Sequence, residues 1–239
     1  MKQAYILAKR ELYSLCISPV LYGTAIFFLI FLSLWFYSFQ HFFTLNSATF
    51  RPFFAAFPLV FILVIPVITM KVWAEERKVG TLEILLTMPF SEWDLVLGKF
   101  ISSFAVVFML VILSIPVPLS IIPLGDFDGG IIFSEYFGTL LLGASATALG
   151  LLFSSLAKNQ GGAFLGSVTV LLVVMLIQQL SQNVPPVLAH IFNFFSLSFH
   201  FESFSKGILD SRDLCFFLLS TIFFLFLNTR VIIFRKWGN

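Results

Sequence analysis

The chain has 239 residues, of which 59% are hydrophobic and only 11% are charged, with 33 phenylalanines, a net charge of +2 and a mean hydropathy of +1.01. A soluble domain carries about 25% charged residues, and a core of this size cannot hide so much apolar surface from water. The composition therefore excludes an ordinary soluble protein and predicts one all-α, polytopic membrane domain over residues 1–239.

The first predicted element is an amphipathic helix over residues 3–16. Tyr5, Ala8 and Leu12 fall on one stripe, and Arg10 falls on another. A helix of this kind lies in the membrane interface. The residues alone therefore favour a plain interfacial anchor.

Six transmembrane spans follow from the apolar runs, because a helix needs about 20 apolar residues to cross the hydrocarbon core. They are predicted at about 19–40, 52–71, 97–122, 136–156, 162–181 and 213–234. The fourth contains "GASATALG", whose small residues predict close helix packing. No charge lies deep inside any span, which argues against ion coupling.

The distribution of lysine and arginine predicts the orientation. With the N-terminus inside, eleven of these residues fall in inner segments, and three fall in outer ones: Arg51, Lys206 and Arg212. Both termini are therefore predicted to be cytoplasmic. The short loops and the compact length suit the inner membrane of a bacterium. The polar stretch between the second and third spans, "WAEERKVGTLEILLTMP", is then cytoplasmic too.

This stretch predicts one short helix past Trp73, stopped by Pro89. The helical spacing gives it an apolar stripe and an opposite polar face. The stripe comprises Val79, Leu82 and Leu86. The polar face comprises Glu76, Gly80, Glu83 and Thr87. Ser91 with Asp94 is a typical start for the next helix. One interpretation is an interfacial helix lying on lipid headgroups. The other is a docking helix whose acids meet bases on a soluble partner while Leu82 and Leu86 enter a groove.

The segment between the fifth and sixth spans is too long for a tight loop and too apolar for water. It predicts one or two short helices that dip into the outer leaflet and are covered by protein. His190, His200 and Glu202 have poor spacing for ligands, so no metal site is predicted.

The stretch "EERKVGTLEILLTMPFSEWDLVLGKF" is similar to the cytoplasmic loop of ABC-2-type permeases, the membrane halves of certain ATP-driven transporters. The resemblance is closest to the gliding-motility and copper-maturation subgroup. The matching positions are Glu75, Glu76, Arg77, Gly80, Thr81, Glu83, Leu85, Leu86, Pro89, Gly98 and Lys99. A second segment, "HFESFSKGILDSRDLCFFLLSTIFFLFL", resembles the family's motif before the last span. The opening "AKRELYSLCISPVLY" also fits, so the resemblance covers essentially the whole chain.

The resemblance implies that the cytoplasmic loop is a coupling helix in the cleft of an ATP-binding subunit. Its coupling residues would be Glu75, Glu76, Arg77, Gly80, Thr81 and Glu83, and on the N-terminal helix Arg10 and Glu11 would also touch the ATPase. The second motif implies re-entrant helices on the outer side, with His200, Phe201, Glu202, Gly207, Asp210, Arg212 and Asp213 as its residues.

The function expected from this resemblance is that of a permease subunit, and export is the expected direction. Two copies, or one copy with a related permease chain, would form the pathway, and two ATP-binding subunits would dock below. The sequence holds no G-x-x-x-x-G-K-[ST] loop, so ATP and Mg²⁺ are expected on the partner, with no cofactor, metal, nucleic acid or catalytic activity of its own. The alternative is a non-transport subunit that passes ATPase motion to an extracytoplasmic partner. The cargo stays open.

Overall fold

The computed structural model describes residues 2–39, 49–87, 91–124, 127–181 and 185–237, and within these ranges the chain forms helices and no strands. The helices are α1 (Lys2–Ile17), α2 (Pro19–Leu34), α3 (Arg51–Phe54), α4 (Ala56–Val79), α5 (Thr81–Thr87), α6 (Glu92–Leu113), α7 (Pro116–Leu119), α8 (Gly129–Leu156), α9 (Gln160–Ser181), α10 (Pro186–Phe195), α11 (Leu197–Ser205) and α12 (Ser211–Trp237). A π-helical segment, Trp35–Phe39, continues α2, and a 3-10 turn covers Ile122–Leu124.

Six of the described helical segments are long and apolar enough to cross a bilayer, which confirms the predicted number of spans and the all-α class. They are Pro19–Ser38, Arg51–Val79, Glu92–Leu119, Gly129–Leu156, Gln160–Leu180 and Ser211–Lys236. Most of them extend beyond the apolar runs. The second was predicted to end near residue 71, yet its helix continues to Val79, because helical hydrogen bonding does not stop where the side chains become polar.

The centre of the bundle is formed by α4 and α8. In each of these helices 72% of the most apolar window is buried, against 22% in α2 and in α9. Close approach depends on small residues: a Cβ at Gly150 of α8 would run into the Thr69 side chain of α4, and one at Gly143 would lie 3.0 Å from Val107. The close packing predicted from "GASATALG" is confirmed. The peripheral helices leave apolar side chains exposed, as helices in contact with lipid do.

The two ends of the bundle differ. One end, here named the terminal face, brings together α1, the C-terminal turns of α4, helix α5, the start of α6, the end of α8 and the last turns of α12. The other, the opposite face, carries the start of α4, the start of α8 and the short helices α10 and α11. The two segments that resemble family motifs therefore lie at opposite ends of the bundle. Residues 75–83 are on the terminal face, and residues 200–213 are on the opposite face.

Candidate functional site

The polar stretch after the second span is divided into two helices at Gly80. Helix α4 continues to Val79, and Gly80 then takes a left-handed conformation (φ 78°) that ends it, as glycine does without strain at a Cβ. Helix α5 begins at Thr81. The prediction of a single short helix past Trp73 was wrong, because the polar residues up to Val79 extend the helix of the span. Pro89, the predicted stop, lies outside the described residues.

At the centre of the terminal face lies the ammonium group of Lys99, on α6, whose side chain is completely buried. Lys99 Nζ donates to Glu76 Oε1 at 2.7 Å and to Glu11 Oε1 at 3.4 Å. It also donates to the Val72 carbonyl at 2.9 Å and lies 4.7 Å from the centre of the Trp73 ring. An ammonium has three protons to donate, so each has an acceptor. These residues are named the Lys99 cluster.

The Lys99 cluster joins three helices that are distant in sequence: α1 through Glu11, α4 through Glu76 and α6 through Lys99 itself. The neighbouring Gly98 permits this arrangement. A Cβ at Gly98 would lie 2.9 Å from Leu7 Cδ2 and 3.1 Å from the Ala4 carbonyl oxygen. Since any larger residue would push α1 away, the Gly98–Lys99 pair lets α1 approach α6 closely and then holds it there by charge.

Two arginines cap the C-terminal end of α8. Arg77 Nη1, from the last turn of α4, donates to the Ala157 carbonyl at 2.8 Å, and Arg235 Nη2, from α12, donates to the Leu156 carbonyl at 2.9 Å. The last carbonyls of a helix lack intrahelical partners and carry the negative end of its dipole, so guanidinium groups stabilise them. The last turns of α4 and α12 are thereby tied to the end of the central helix.

A further ion pair closes the terminal face at the start of α6. Ser91 caps this helix, since its Oγ accepts the Asp94 amide at 3.1 Å, as the sequence predicted. In the first turn, Glu92 Oε1 accepts from Lys236 Nζ of α12 at 2.8 Å. Both side chains are partly exposed, so this pair contributes less than the buried Lys99 pairs do. Helix α6 is thus held at its start by α12 and two turns later by α1 and α4.

Helix α5 lies against the bundle on its apolar side. Leu82 and Leu85 are buried, each 7% exposed, in a cluster with Val72, Trp73 and Leu95. The expectation that Leu82 enters a partner's groove was wrong, because this side chain packs against its own chain. The Leu86 side chain lies outside the described residues.

The predicted coupling residues separate into two groups. Glu75, Gly80, Thr81 and Glu83 are exposed, and so is Arg10 on α1. By contrast, the side chains of Glu76, Arg77 and Glu11 make contacts inside the chain, with Lys99 and with the end of α8. Their role towards a partner stays a prediction.

Sequence reasoning missed Lys99 and Arg235. Lys99 was noted as part of the Gly-Lys match, but no role was assigned to it. Its partners stand 23 and 88 positions away in the sequence, so no local pattern could reveal them. The available signal was a lysine placed where a span begins, directly after a glycine.

The motif on the opposite face is organised around a buried pair. His200 Nδ1 and Asp213 Oδ1 are 2.6 Å apart, which links α11 to the start of α12. The His200 ring stacks on Phe216, with centroids 3.8 Å apart and an interplanar angle of 20°, and its Nε2 lies 3.2 Å from the Phe194 carbonyl. Phe201 is buried beside it. This part of the motif therefore packs α10, α11 and α12 together.

The remaining residues of this motif form the turn between α11 and α12. Gly207 is left-handed (φ 76°), and a Cβ there would lie 2.9 Å from Ile131 of α8. Asp210 Oδ1 accepts the Arg212 amide at 2.9 Å, and the Arg212 side chain is exposed. On α11, Glu202 pairs with Lys206 and also accepts from Gln178; these contacts hold the pKa of the Glu202 carboxyl below its usual range. No group of three or more potential metal ligands occurs in the described part of the chain.

Helix α8 also carries a buried acidic side chain, Glu135. Its side chain is 0% exposed, and neither carboxyl oxygen has a hydrogen-bond partner among the described residues. The fourth span was predicted to begin at about residue 136, whereas α8 begins at Gly129 and already includes Glu135. Lys99 and Glu135 each lie within two turns of the start of their helix, so these buried ionisable groups stand near the ends of the described spans and not in their apolar middle.

Six bilayer-length helices with a network of buried charge at one end define a multi-pass helical membrane protein. The chain belongs to the ABC-2 transporter family, since the family model described as "ABC-2 family transporter protein" matches residues 5–197. The resemblance seen in the sequence is confirmed at this level, and the subgroup stays a prediction.

Two similar proteins come from Escherichia coli, strains K12 and O157:H7, and both are described as "Probable multidrug ABC transporter permease YbhR". Each is 33% identical to this chain over 116 residues. The match covers 48% of this chain but only 30% of each relative.

Proposed function

We propose that this chain is the membrane permease subunit of an ATP-driven exporter, and that an ATP-binding subunit docks on the terminal face. The Lys99 cluster is the observation that carries the proposal. A displacement of the α4–α5 corner reaches α6 and α1 through the two ion pairs of Lys99, at 2.7 and 3.4 Å, and it reaches α8 through Arg77. Because these contacts join helix ends and not loops, a push on the corner moves whole spans.

The proposed ATPase docking surface consists of the exposed residues of this corner, Glu75, Thr81 and Glu83, together with Arg10 of α1. Behind it, Leu82 and Leu85 seat α5 on the bundle. This division suits a coupling element. The exposed charged groups bind the partner, and the buried leucines pass a movement of α5 to the transmembrane helices. Glu76 and Glu11 contribute by holding the corner to α6.

ATP and Mg²⁺ are assigned to the partner, because the sequence has no phosphate-binding loop of the P-loop type. Two ATP-binding subunits and a second permease chain, identical or related, complete the assembly in the proposal, with both termini and the terminal face in the cytoplasm. The multidrug description of the similar proteins favours apolar cargo, and so do the many apolar side chains that the described spans expose.

The proposal is tested by purifying the tagged chain from membranes in mild detergent and identifying soluble partners present in stoichiometric amounts. We expect a P-loop ATPase, and we expect Glu83→Lys to release it, because that change reverses a charge at the docking surface. Glu202→Lys, on the opposite face, is the matched control and should retain the ATPase. Absence of any ATPase from the unmodified chain, or equal retention by both variants, would contradict the proposal.

The orientation is tested separately by labelling with a membrane-impermeant maleimide. In a background in which Cys16 and Cys215 are replaced by serine, Gly129→Cys should react in intact cells. Glu83→Cys should react only after permeabilisation. Gly129 is suitable because it is exposed and a Cβ there meets no atom within 4 Å. The reverse labelling pattern would invert the topology.

The alternative, a subunit that transmits mechanical work to an outer partner, is favoured by one observation. The helices α10 and α11 are fixed to α12 by the His200–Asp213 pair, while α10 leaves Ile191, Phe194 and Phe195 exposed. An exposed apolar surface that is fixed to the bundle in this way suits the binding of an outer partner, to which it would pass the movement of the helices. In liposomes that contain the assembled complex, ATPase stimulation by apolar cargo favours transport, whereas stimulation only by an outer protein favours transmission.

A further inference from the structure

The terminal face contains a cavity of about 480 Å³ between α1, the last turns of α4 and helix α5. Arg10, Ser14 and Ser18 line it from the side of α1, and Lys71 and Glu75 line it from α4. The wall therefore offers cations, hydroxyl groups and a carboxylate within one space, a combination that a purely structural gap between helices does not need.

A narrow apolar cleft of about 20 Å³ adjoins this cavity between α2 and α4. The two spaces share Leu15, Ser18 and Lys71, and the cleft adds Leu21 of α2 and Ile68 of α4. Ile68 precedes Lys71 on a helix that runs towards the terminal face, so the cleft lies on the bilayer side of the cavity. The surrounding surface of α2 is apolar and exposed.

Along α4, an apolar cleft, a cation and a carboxylate follow one another in the same order as the acyl chains, the phosphate and the terminal group of a phospholipid. Ile68 borders the apolar cleft, Lys71 follows within one turn, and Glu75 lies one further turn outwards, about 6 Å at a rise of 1.5 Å per residue. In a phospholipid the acyl chains are followed by the phosphate and then by the terminal group. A phosphate beside Lys71 and Ser18 thus places the terminal group of the lipid beside Glu75.

The charges of the cavity select the kind of lipid. Glu11 and Glu76 also line the cavity, but each accepts a hydrogen bond from Lys99. The single ammonium of Lys99 balances only one of these two carboxylates, so the wall carries two further cations, Arg10 and Lys71, against Glu75 and one remaining carboxylate charge. Lys71 contacts Ser18 Oγ at 3.5 Å. A wall that places cations at Arg10 and Lys71 and a carboxylate at Glu75 matches a phosphate followed by an ammonium, since charge-assisted hydrogen bonds are the strong ones. A headgroup with negative charge alone would leave Glu75 facing an anion.

We propose that this cavity binds the headgroup of a phospholipid with a primary amine, phosphatidylethanolamine, from the adjoining leaflet. Arg10, Lys71 and Ser18 hold the phosphate, Glu75 accepts from the ammonium, and one acyl chain starts along the cleft between α2 and α4. Phosphatidylcholine fits less well because its quaternary ammonium has no proton to donate. The bound lipid fills the space between α1 and α4 and so supports the corner on which α5 rests.

The test is native mass spectrometry of the intact chain in mild detergent, with added palmitoyl-oleoyl phosphatidylethanolamine, phosphatidylcholine or phosphatidylglycerol. We expect the ethanolamine lipid to be retained about fivefold more than the choline lipid, as one charged hydrogen bond at a partly exposed site allows. Glu75→Gln should abolish this preference and leave retention of the choline lipid unchanged. Lys71→Gln should lower retention of all three.

Matched controls are Glu202→Gln, an exposed acid on the opposite face, and Lys78→Gln, an exposed lysine that does not line the cavity; both should behave as the unmodified chain. Ser18→Ala replaces Lys71→Gln if the latter is not monodisperse. Equal retention of ethanolamine and choline lipids, a preference for phosphatidylglycerol, or a persisting preference in Glu75→Gln would overturn the proposal. So would equally tight binding of soluble glycerophosphoethanolamine, because the occupant would then be a soluble compound. The lipid site shares Arg10 and Glu75 with the proposed ATPase docking surface. Because the readout involves no nucleotide or ATPase, failure of lipid binding and failure of ATPase docking are distinguishable.

Discussion

Removing one acidic partner of Lys99 should destabilise the protein far more than removing an exposed ion pair of the same length. The change is Glu76→Leu, which deletes the carboxylate 2.7 Å from Lys99 Nζ and leaves a fully buried ammonium. The remaining acceptors are the Val72 carbonyl at 2.9 Å and Glu11 at 3.4 Å. One proton of the ammonium then lacks an acceptor, and the charge keeps a single, longer ion pair.

The magnitude follows from these contacts. Breaking a buried ion pair by removing one partner costs about 3–5 kcal/mol, because an uncompensated charge stays buried. Since Glu11 still neutralises part of the charge, we expect about 3 kcal/mol for Glu76→Leu. Lys99→Met should cost less, about 1–2 kcal/mol, because it removes the buried cation itself and leaves two acidic side chains that are partly exposed, Glu11 at 18% and Glu76 at 22%. The double variant should lie near Lys99→Met alone, so the two changes are not additive.

The assay is unfolding of the purified protein in mixed micelles, followed by near-UV circular dichroism as the denaturing detergent is increased. The control pair is Glu92→Leu with Lys236→Met, whose ion pair is 2.8 Å long but partly exposed on both sides; each change there should cost less than about 1 kcal/mol. If Glu76→Leu costs no more than Glu92→Leu, or if Glu76→Leu and Lys99→Met are additive, the reasoning about buried charge is refuted.

Three further predictions concern single positions. Gly98→Ala should displace α1, lowering stability by about 1–3 kcal/mol and speeding proteolytic cleavage of α1, because its Cβ would lie 2.9 Å from that helix. Gly207→Ala should cost about 1–2 kcal/mol in the same unfolding assay, because φ there is 76°, a left-handed conformation that alanine adopts only with strain. The control, Gly129→Ala, should be nearly neutral, because its Cβ meets no neighbouring atom. Equal effects of the two changes would contradict the argument. Asp213→Asn should cost about 1–3 kcal/mol by weakening the buried contact with His200, and an unchanged unfolding midpoint would show that this contact contributes nothing.

The six spans were predictable because the hydrocarbon core of a bilayer offers no hydrogen-bond partners to the backbone. A run of about 20 apolar residues therefore has to form a helix there, and hydropathy alone gives the number of helices. The ends were harder, since hydropathy reports where the hydrocarbon ends and not where the helix ends. For α4 the local signal was present in Gly80, which takes the left-handed conformation that stops the helix; reading Trp73 as the break ignored it.

The candidate site was only half predictable, for a different reason. The motif residues on the corner are contiguous, so their similarity to the family pattern was visible in the sequence. Their division into exposed and inward-facing side chains was not, because it depends on Lys99, Arg235 and the end of α8. Glu76 and Glu83 look equivalent on a helical projection, but only Glu76 lies within reach of a buried cation. Charge in the sequence does not distinguish a docking acid from a structural one.

The Lys99 cluster also imposes an order on biosynthesis. Glu11 is synthesised 88 residues before its cation, and Glu76 is synthesised 23 residues before it. At about 5–20 residues per second, α1 therefore waits roughly 4–18 s on the ribosome for the counter-ion that fixes it to the bundle. Until Lys99 has been synthesised, Glu11 and Glu76 lack the cation that joins them, so the ends of α1, α4 and α6 can form this unit only after residue 99.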